Sequence, residues 1–158
     1  MTVDLTLCDE AATLDLGRRL VTEPNFGLGA GDVIFLSGEL GAGKTSLSRG
    51  ILRALGVTGP IKSPTYTLVE PYVLGQLTIY HFDLYRLTDP EELLDIGLSD
   101  YLDANALLLI EWPERAETVL PRPSLRIELK LADTLGRRVF LSAETTKCQC
   151  LLDTLKLV

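Results

Sequence analysis

Gly38-Glu39-Leu40-Gly41-Ala42-Gly43-Lys44-Thr45 satisfies G-x-x-x-x-G-K-[ST] at every fixed position. Each residue type in this stretch serves one chemistry. Glycines lacking side chains let successive backbone N–H groups converge on phosphate oxygens, and a helix beginning at the end of the loop adds positive partial charge. Lys44 supplies a full positive charge for the outer phosphates of a nucleoside triphosphate. The Thr45 hydroxyl is of the type that ligates a bridging Mg²⁺. Glu39, Leu40, Gly41, Ala42, Gly43, Lys44, Thr45 and Ser46 are the candidate nucleotide contacts. The competing reading, a flexible glycine turn that matches by coincidence, is disfavoured by its setting between an apolar run and an amphipathic stretch.

Hydrolysis of a triphosphate also needs a carboxylate beside the metal, commonly at the end of a neighbouring buried strand. Glu111 occupies that position after Leu107-Leu108-Leu109-Ile110, although a solvated glutamate at a strand terminus would look the same. Trp112 follows it directly and could report or gate nucleotide binding. In Tyr80-His81-Phe82-Asp83-Leu84-Tyr85-Arg86, His81 and Asp83 share one face of a strand and Phe82 and Leu84 the other. Asp83 could orient metal-bound water, or could equally pair with Arg86 or cap a helix. His81 is the sole histidine, so it cannot build a metal cluster, and a structural role is expected of it. Thr65, in Lys62-Ser63-Pro64-Thr65-Tyr66-Thr67, lies where nucleotide switches place a threonine that senses the terminal phosphate. A hydroxyl-rich proline turn would also serve as a plain connector.

These residues need a scaffold of alternating element types. Val3, Leu5 and Leu7 alternate in a short strand over Thr2 to Leu7, followed by a helical stripe Leu14, Gly17, Leu20, Val21. Asp32 to Ser37 is a buried strand, and Leu47, Ile51, Ala54 and Leu55 mark a helix ending at Gly56. Residues 57 to 66 form a loop; Tyr66 to Leu74 and Leu77 to Leu84 pair as a hairpin about Gly75-Gln76. Thr88 caps a helix running towards Gly97, and Ala106 to Ile110 is a second buried strand. Leu125 to Leu131 and Arg138 to Leu141 flank a turn at Asp133 to Gly136, and the tail forms a short helix. Strands mixed with crossover helices imply an α/β sandwich with antiparallel hairpins added to a parallel centre.

Composition bounds the function. At 158 residues with 46% hydrophobic content, and without repeats or linker-like stretches, the chain is expected to fold as one domain spanning 1–158. A formal charge of -7 disfavours autonomous nucleic-acid binding, because a phosphate backbone would be repelled. Met1 to Glu10 has neither a basic nor an apolar leader segment, and the apolar run Ala106 to Ile110 is too short to span a bilayer, so a cytoplasmic protein without membrane association is expected. Cys8, Cys148 and Cys150 have neither disulfide-framework nor zinc spacing and are expected to be reduced thiols.

Taken in order, GELGAGKTSLSRG, KSPTYTLVEPY, YHFDLYRL with DPEELLDIGLSDY, and LLLIEWPER resemble the TsaE family, also called YjeE, bacterial P-loop ATPases of tRNA threonylcarbamoyladenosine synthesis. The likeness spans about Asp32 to Glu114. It implies a P-loop NTPase-like three-layer sandwich, ATP and Mg²⁺ as ligands, Lys44 and Thr45 as nucleotide and metal contacts, Glu111 as a second metal or water ligand, and Asp83 as required for hydrolysis and a further metal contact. By the same resemblance Thr65 is the switch threonine, Trp112 belongs to the family's EWP or EWS signature, and Arg137 of Gly136-Arg137 approaches the nucleotide. The implied partners are TsaB and TsaD, with tRNA met only indirectly through them. Two rivals stay open: a small-molecule kinase, and a nucleotide-dependent module that stabilises a complex with little turnover. The N-K-x-D guanine signature of a GTPase is absent.

Overall fold

The computed structural model describes residues 1–132 and 135–156. In chain order the elements are β1 (Thr2–Leu7), α1 (Glu10–Thr22), β2 (Val33–Ser37), α2 (Lys44–Leu55), β3 (Val69–Leu74), β4 (Leu77–Asp83), α3 (Glu91–Asp95), α4 (Leu98–Tyr101), β5 (Ala106–Glu111), a 3₁₀ turn (Pro113–Arg115), β6 (Leu125–Leu131), β7 (Arg137–Ala143) and α5 (Thr146–Lys156). The strands form one seven-stranded sheet in the order β1-β7-β6-β2-β5-β4-β3. Its centre, β6-β2-β5-β4, is parallel, while β7 on β6, β1 on β7 and β3 on β4 are antiparallel. A parallel centre must be covered on both faces. Ile34, Leu36, Leu107 and Leu109 face one apolar cluster with Leu16 and Leu20 of α1, Leu47 and Ile51 of α2 and Leu151 of α5. Phe35, Phe82, Leu108 and Ile110 face the other, with Leu93 of α3 and Leu98 of α4. The resulting three-layer α/β sandwich is the architecture that the strand and helix pattern implies.

Local differences from the sequence expectations have physical causes. The buried stripe of α1 is Thr13, Leu16, Gly17 and Leu20, with Leu16 taking the place given to Leu14, because the helix is rotated to bring Gly17 against α2. A methyl group at Gly17 would lie 2.7 Å from the Leu47 carbonyl oxygen, and one at Gly50 would lie 2.4 Å from that of Leu14. The two glycines therefore let the helix backbones meet. Tyr66 to Leu68 form a turn instead of the start of β3, since Leu68 adopts φ 72° and its N–H donates to the Pro64 carbonyl at 2.8 Å. The expected helix from Thr88 to Gly97 is the five-residue α3, ended by Gly97 at φ 82°. Asp89 acts at its start where Thr88 was expected: its carboxylate accepts from the Glu91 N–H at 3.0 Å, while Glu92 accepts from the Asp89 N–H and the Thr88 hydroxyl. The tail helix has 11 residues and buries Cys148, whose thiol pKa is pushed up by that burial. Gly75 has φ 62° between β3 and β4, as a two-residue hairpin requires. Asp133 and Thr134 of the expected last turn lie outside the described residues. Among the described residues no helix is long and apolar enough to cross a membrane.

Candidate functional site

The glycine-rich segment leaves β2 and enters α2 through three left-handed glycines, Gly38 (φ 147°), Gly41 (φ 80°) and Gly43 (φ 108°). Two of these positions show why glycine is needed. A methyl group at Gly38 would lie 2.5 Å from the Leu129 carbonyl oxygen, and at Gly43 the left-handed backbone itself excludes most side chains. Lys44, the first residue of α2, is 5% exposed and folds back so that its ammonium donates to the carbonyls of Gly38 and Glu39, the latter at 2.9 Å. Burial lowers its pKa below the ordinary lysine value, against the upward pull of Glu111, Asp83 and Glu114. Its ammonium also lies 4.3 Å from the Trp112 ring centroid. The charge is thus held by carbonyl dipoles and a π face, partners that a phosphate can replace.

Parallel pairing in register puts Asp83 of β4 beside Glu111 of β5, both at the C-terminal ends of their strands. With period-two alternation, His81, Asp83 and Glu111 point to the α2 side of the sheet. There the Thr45 hydroxyl donates to Glu111 Oε1 at 3.3 Å. Glu111 is 1% exposed, so this carboxylate is not the solvated terminus of the competing reading. The Thr65 hydroxyl donates to Asp83 Oδ2 at 2.9 Å, and the Tyr85 N–H donates to Asp83 Oδ1 at 3.0 Å. Arg86, the alternative partner of Asp83, instead lies over the Tyr66 ring at 4.1 Å. Trp112 turns the chain at φ 60°, its N–H donating to the Leu36 carbonyl at 3.1 Å and its ring packed 5.0 Å from that of Tyr85.

Leu40, Gly41, Gly43, Lys44, Thr45, Ser46, Thr65, Asp83, Glu111, Trp112 and Arg137 line one cleft of about 640 Å³. Glu39 and Ala42 are not among its lining residues: the Glu39 carbonyl holds Lys44, and Ala42 is packed in the core. Arg137, expected to approach the nucleotide, forks onto the loop backbone. Its Nε donates to the Ala42 carbonyl at 2.9 Å and one terminal nitrogen donates to that of Gly41 at 3.1 Å.

Asp9, Glu10, Thr13, Ser63, Tyr85 and Leu135 also line the cleft, and sequence reasoning did not connect them with it. Asp9 caps α1 by accepting from the Ala12 N–H at 2.8 Å, a pattern legible in sequence. Nothing local says that this helix start meets the glycine loop, because β1 lies three strands from β2 and only the α1–α2 packing brings Glu10 to within 3.2 Å of the Ser46 hydroxyl.

The donor set suits a metal–triphosphate. It joins a glycine cradle closed to side chains, a cation held on replaceable partners, and a hydroxyl–carboxylate pair of the oxygen type that hard cations take.

Residues 7–139 match the family described as "Threonylcarbamoyl adenosine biosynthesis protein TsaE", extending the likeness seen at Asp32 to Glu114 in both directions. The chain is 47% identical over 113 residues to a tRNA threonylcarbamoyladenosine biosynthesis protein TsaE of Haemophilus influenzae, covering 72% of this chain and 71% of that one. It is 39% identical over 163 residues to the protein of that name from a Nostoc species, covering 98% and 94%. The crystal structure of Bacillus subtilis YdiB superposes with a TM-score of 0.80 at 27% identity, covering 99% of this chain and 95% of that one. With the sheet order, the glycine loop and its facing carboxylates, these likenesses mean that the chain belongs to the TsaE family of threonylcarbamoyl adenosine biosynthesis proteins.

Proposed function

We propose that the chain is a Mg²⁺-dependent ATPase, weak alone, which binds ATP in this cleft and acts with TsaB and TsaD in forming N6-threonylcarbamoyladenosine at position 37 of tRNA, in the cytoplasm. One observation carries the enzymatic reading: the Thr45 hydroxyl meets the buried Glu111 carboxylate at 3.3 Å, and that carboxylate is near enough to Lys44 for its charge to act on the ammonium. Family membership supports the pathway, and the charge of -7 agrees with tRNA being held by the partners.

In this reading the backbone N–H groups of Gly41, Gly43, Lys44 and Thr45 hold phosphate oxygens, and Lys44 exchanges carbonyl partners for phosphate. Thr45 and Glu111 hold Mg²⁺, with Asp83 beside them as a further contact. A cation held by these residues would stabilise the negative charge that develops as the terminal phosphoryl group is transferred to water and the nucleoside diphosphate departs. Thr65 must give up its 2.9 Å bond to Asp83 to reach a nucleotide, which frees Asp83 to orient the attacking water. Trp112 lies over Lys44 and reports occupancy.

A kinase needs cationic groups free to follow the transferred phosphoryl. Among the described residues, Arg137 is the only arginine lining the cleft, and its guanidinium is engaged by loop carbonyls. The deciding assay measures phosphate release from ATP and Mg²⁺, with and without TsaB and TsaD, together with tRNA modification over many turnovers. Modification that continues equally well without this chain removes the proposed role. Phosphate delivered to a small acceptor instead of water promotes the kinase, and nucleotide-dependent assembly without turnover promotes the complex-stabilising module.

A further inference from the structure

His81 lies on β4, opposite Leu109 of β5, and is fully buried. Its Nε2 is 2.5 Å from Glu111 Oε2, while Glu111 Oε1 is the oxygen that accepts from the Thr45 hydroxyl. The two carboxylate oxygens therefore have different partners on different sides. The other ring nitrogen, Nδ1, is buried with no hydrogen-bond partner among the described residues. The proton consequently belongs on Nε2, facing the carboxylate, because a bare buried nitrogen costs less than an orphaned N–H and an unpaired carboxylate oxygen together. A histidine that merely filled apolar space would not leave its only polar contact on this one oxygen.

We infer that His81 is a positioning residue, whose Nε2–H holds Glu111 Oε2 so that Oε1 alone is presented towards Thr45 and a divalent cation; this rests on Glu111 being the metal or water ligand of the proposed ATPase. At a site where both side chains are sequestered from solvent, water does not compete to orient the carboxylate, so the protein's own donor sets its rotation. Without that donor the carboxylate can turn and offer both oxygens, or withdraw from Thr45. Partners that orient a metal ligand from behind commonly change metal affinity or activity by about 10- to 100-fold when removed.

The test uses the full chain, with ADP and ATP as probes in Mg²⁺ and in excess EDTA, read by calorimetry and by the fluorescence of the single tryptophan, Trp112. His81→Gln keeps an amide N–H near the position of Nε2, whereas His81→Asn keeps a polar group only near Nδ1. His81→Leu removes both. The expected result is that His81→Asn and His81→Leu lose about 10- to 100-fold of the Mg²⁺-dependent gain in nucleotide affinity and of kcat, with affinity in EDTA unchanged, and that His81→Gln restores both. In a Glu111→Ala background, changing His81 should cause no further loss of kcat. Should His81→Leu fail to fold, the Asn and Gln variants decide. Wild-type Mg²⁺ dependence in His81→Asn, or Asn and Gln variants that behave alike, overturns the positioning role while leaving the ATPase reading in place. A wild-type chain that binds nucleotide without any gain from Mg²⁺ removes the metal reading and this inference together.

Discussion

Arg137→Met removes the guanidinium fork while keeping much of the apolar stem. The side chain is half-buried, and two of its hydrogen bonds, at 2.9 and 3.1 Å, end on the carbonyls of Ala42 and Gly41 in the phosphate-binding loop. Hydrogen bonds from charged donors contribute about 1.5–3 kcal/mol each when well sequestered, and partial exposure reduces the pair to roughly 2 kcal/mol in total. The Ala42 N–H, in the peptide of the held Gly41 carbonyl, already donates to the Glu39 carbonyl at 3.0 Å, while the held Ala42 carbonyl leaves the Gly43 N–H of its own peptide for a ligand, so the lost energy should reappear as the cost of ordering the loop on binding. About 2 kcal/mol corresponds to roughly 30-fold weaker nucleotide binding. Calorimetry with ADP and Mg²⁺ measures it directly. Arg137→Lys should be nearly as weak as Arg137→Met, because an ammonium cannot reproduce a two-carbonyl fork. Lysine restoring wild-type affinity would mean that Arg137 serves as a point charge on the nucleotide, and would refute the clasp.

Lys44→Ala should abolish tight ATP binding, whereas Glu111→Ala should reduce kcat far more than affinity; equilibrium binding alongside turnover separates the two, and the reverse order contradicts the assigned roles. Gly50→Ala places a methyl group 2.4 Å from the Leu14 carbonyl oxygen, so α1 must move off α2 at a cost of about 1–3 kcal/mol, seen as a Tm roughly 3–10 °C lower; an unchanged Tm would show that the helices are not in close contact. Burial depresses the Lys44 pKa, while phosphates favour its charged form and raise it, so nucleotide binding should take up protons increasingly as pH rises on the alkaline side. Calorimetry in buffers of different ionisation enthalpy checks this, and equal uptake by Lys44→Met would assign the proton elsewhere.

Much of the site is visible along the chain because its chemistry is local. The loop from Gly38 to Thr45 is contiguous, its glycines are needed by backbone angles that neighbouring residues cannot change, and a buried apolar strand followed by an acid marks Glu111. The parallel centre was likewise legible, since Val33–Ser37 and Ala106–Glu111 are apolar on both faces. Weaker signals failed where tertiary packing competed with them. Tyr66 to Leu68 look β-forming, yet Pro64 and the bond between Thr65 and Asp83 tie them into a turn. Leu14 and Leu16 are equally apolar, and only the fit of Gly17 against α2 selects which one is buried.

The sequence alone determined what kind of ligand the loop accepts, because that depends on glycine freedom, one lysine and one hydroxyl within a few residues. Tertiary structure decided which distant groups complete the site. Arg137 turned out to hold the loop's carbonyls, α1 brought Glu10 alongside Ser46, and His81 was placed behind Glu111. These contacts join positions 30 to 96 residues apart through sheet register and helix packing, and no local pattern encodes them.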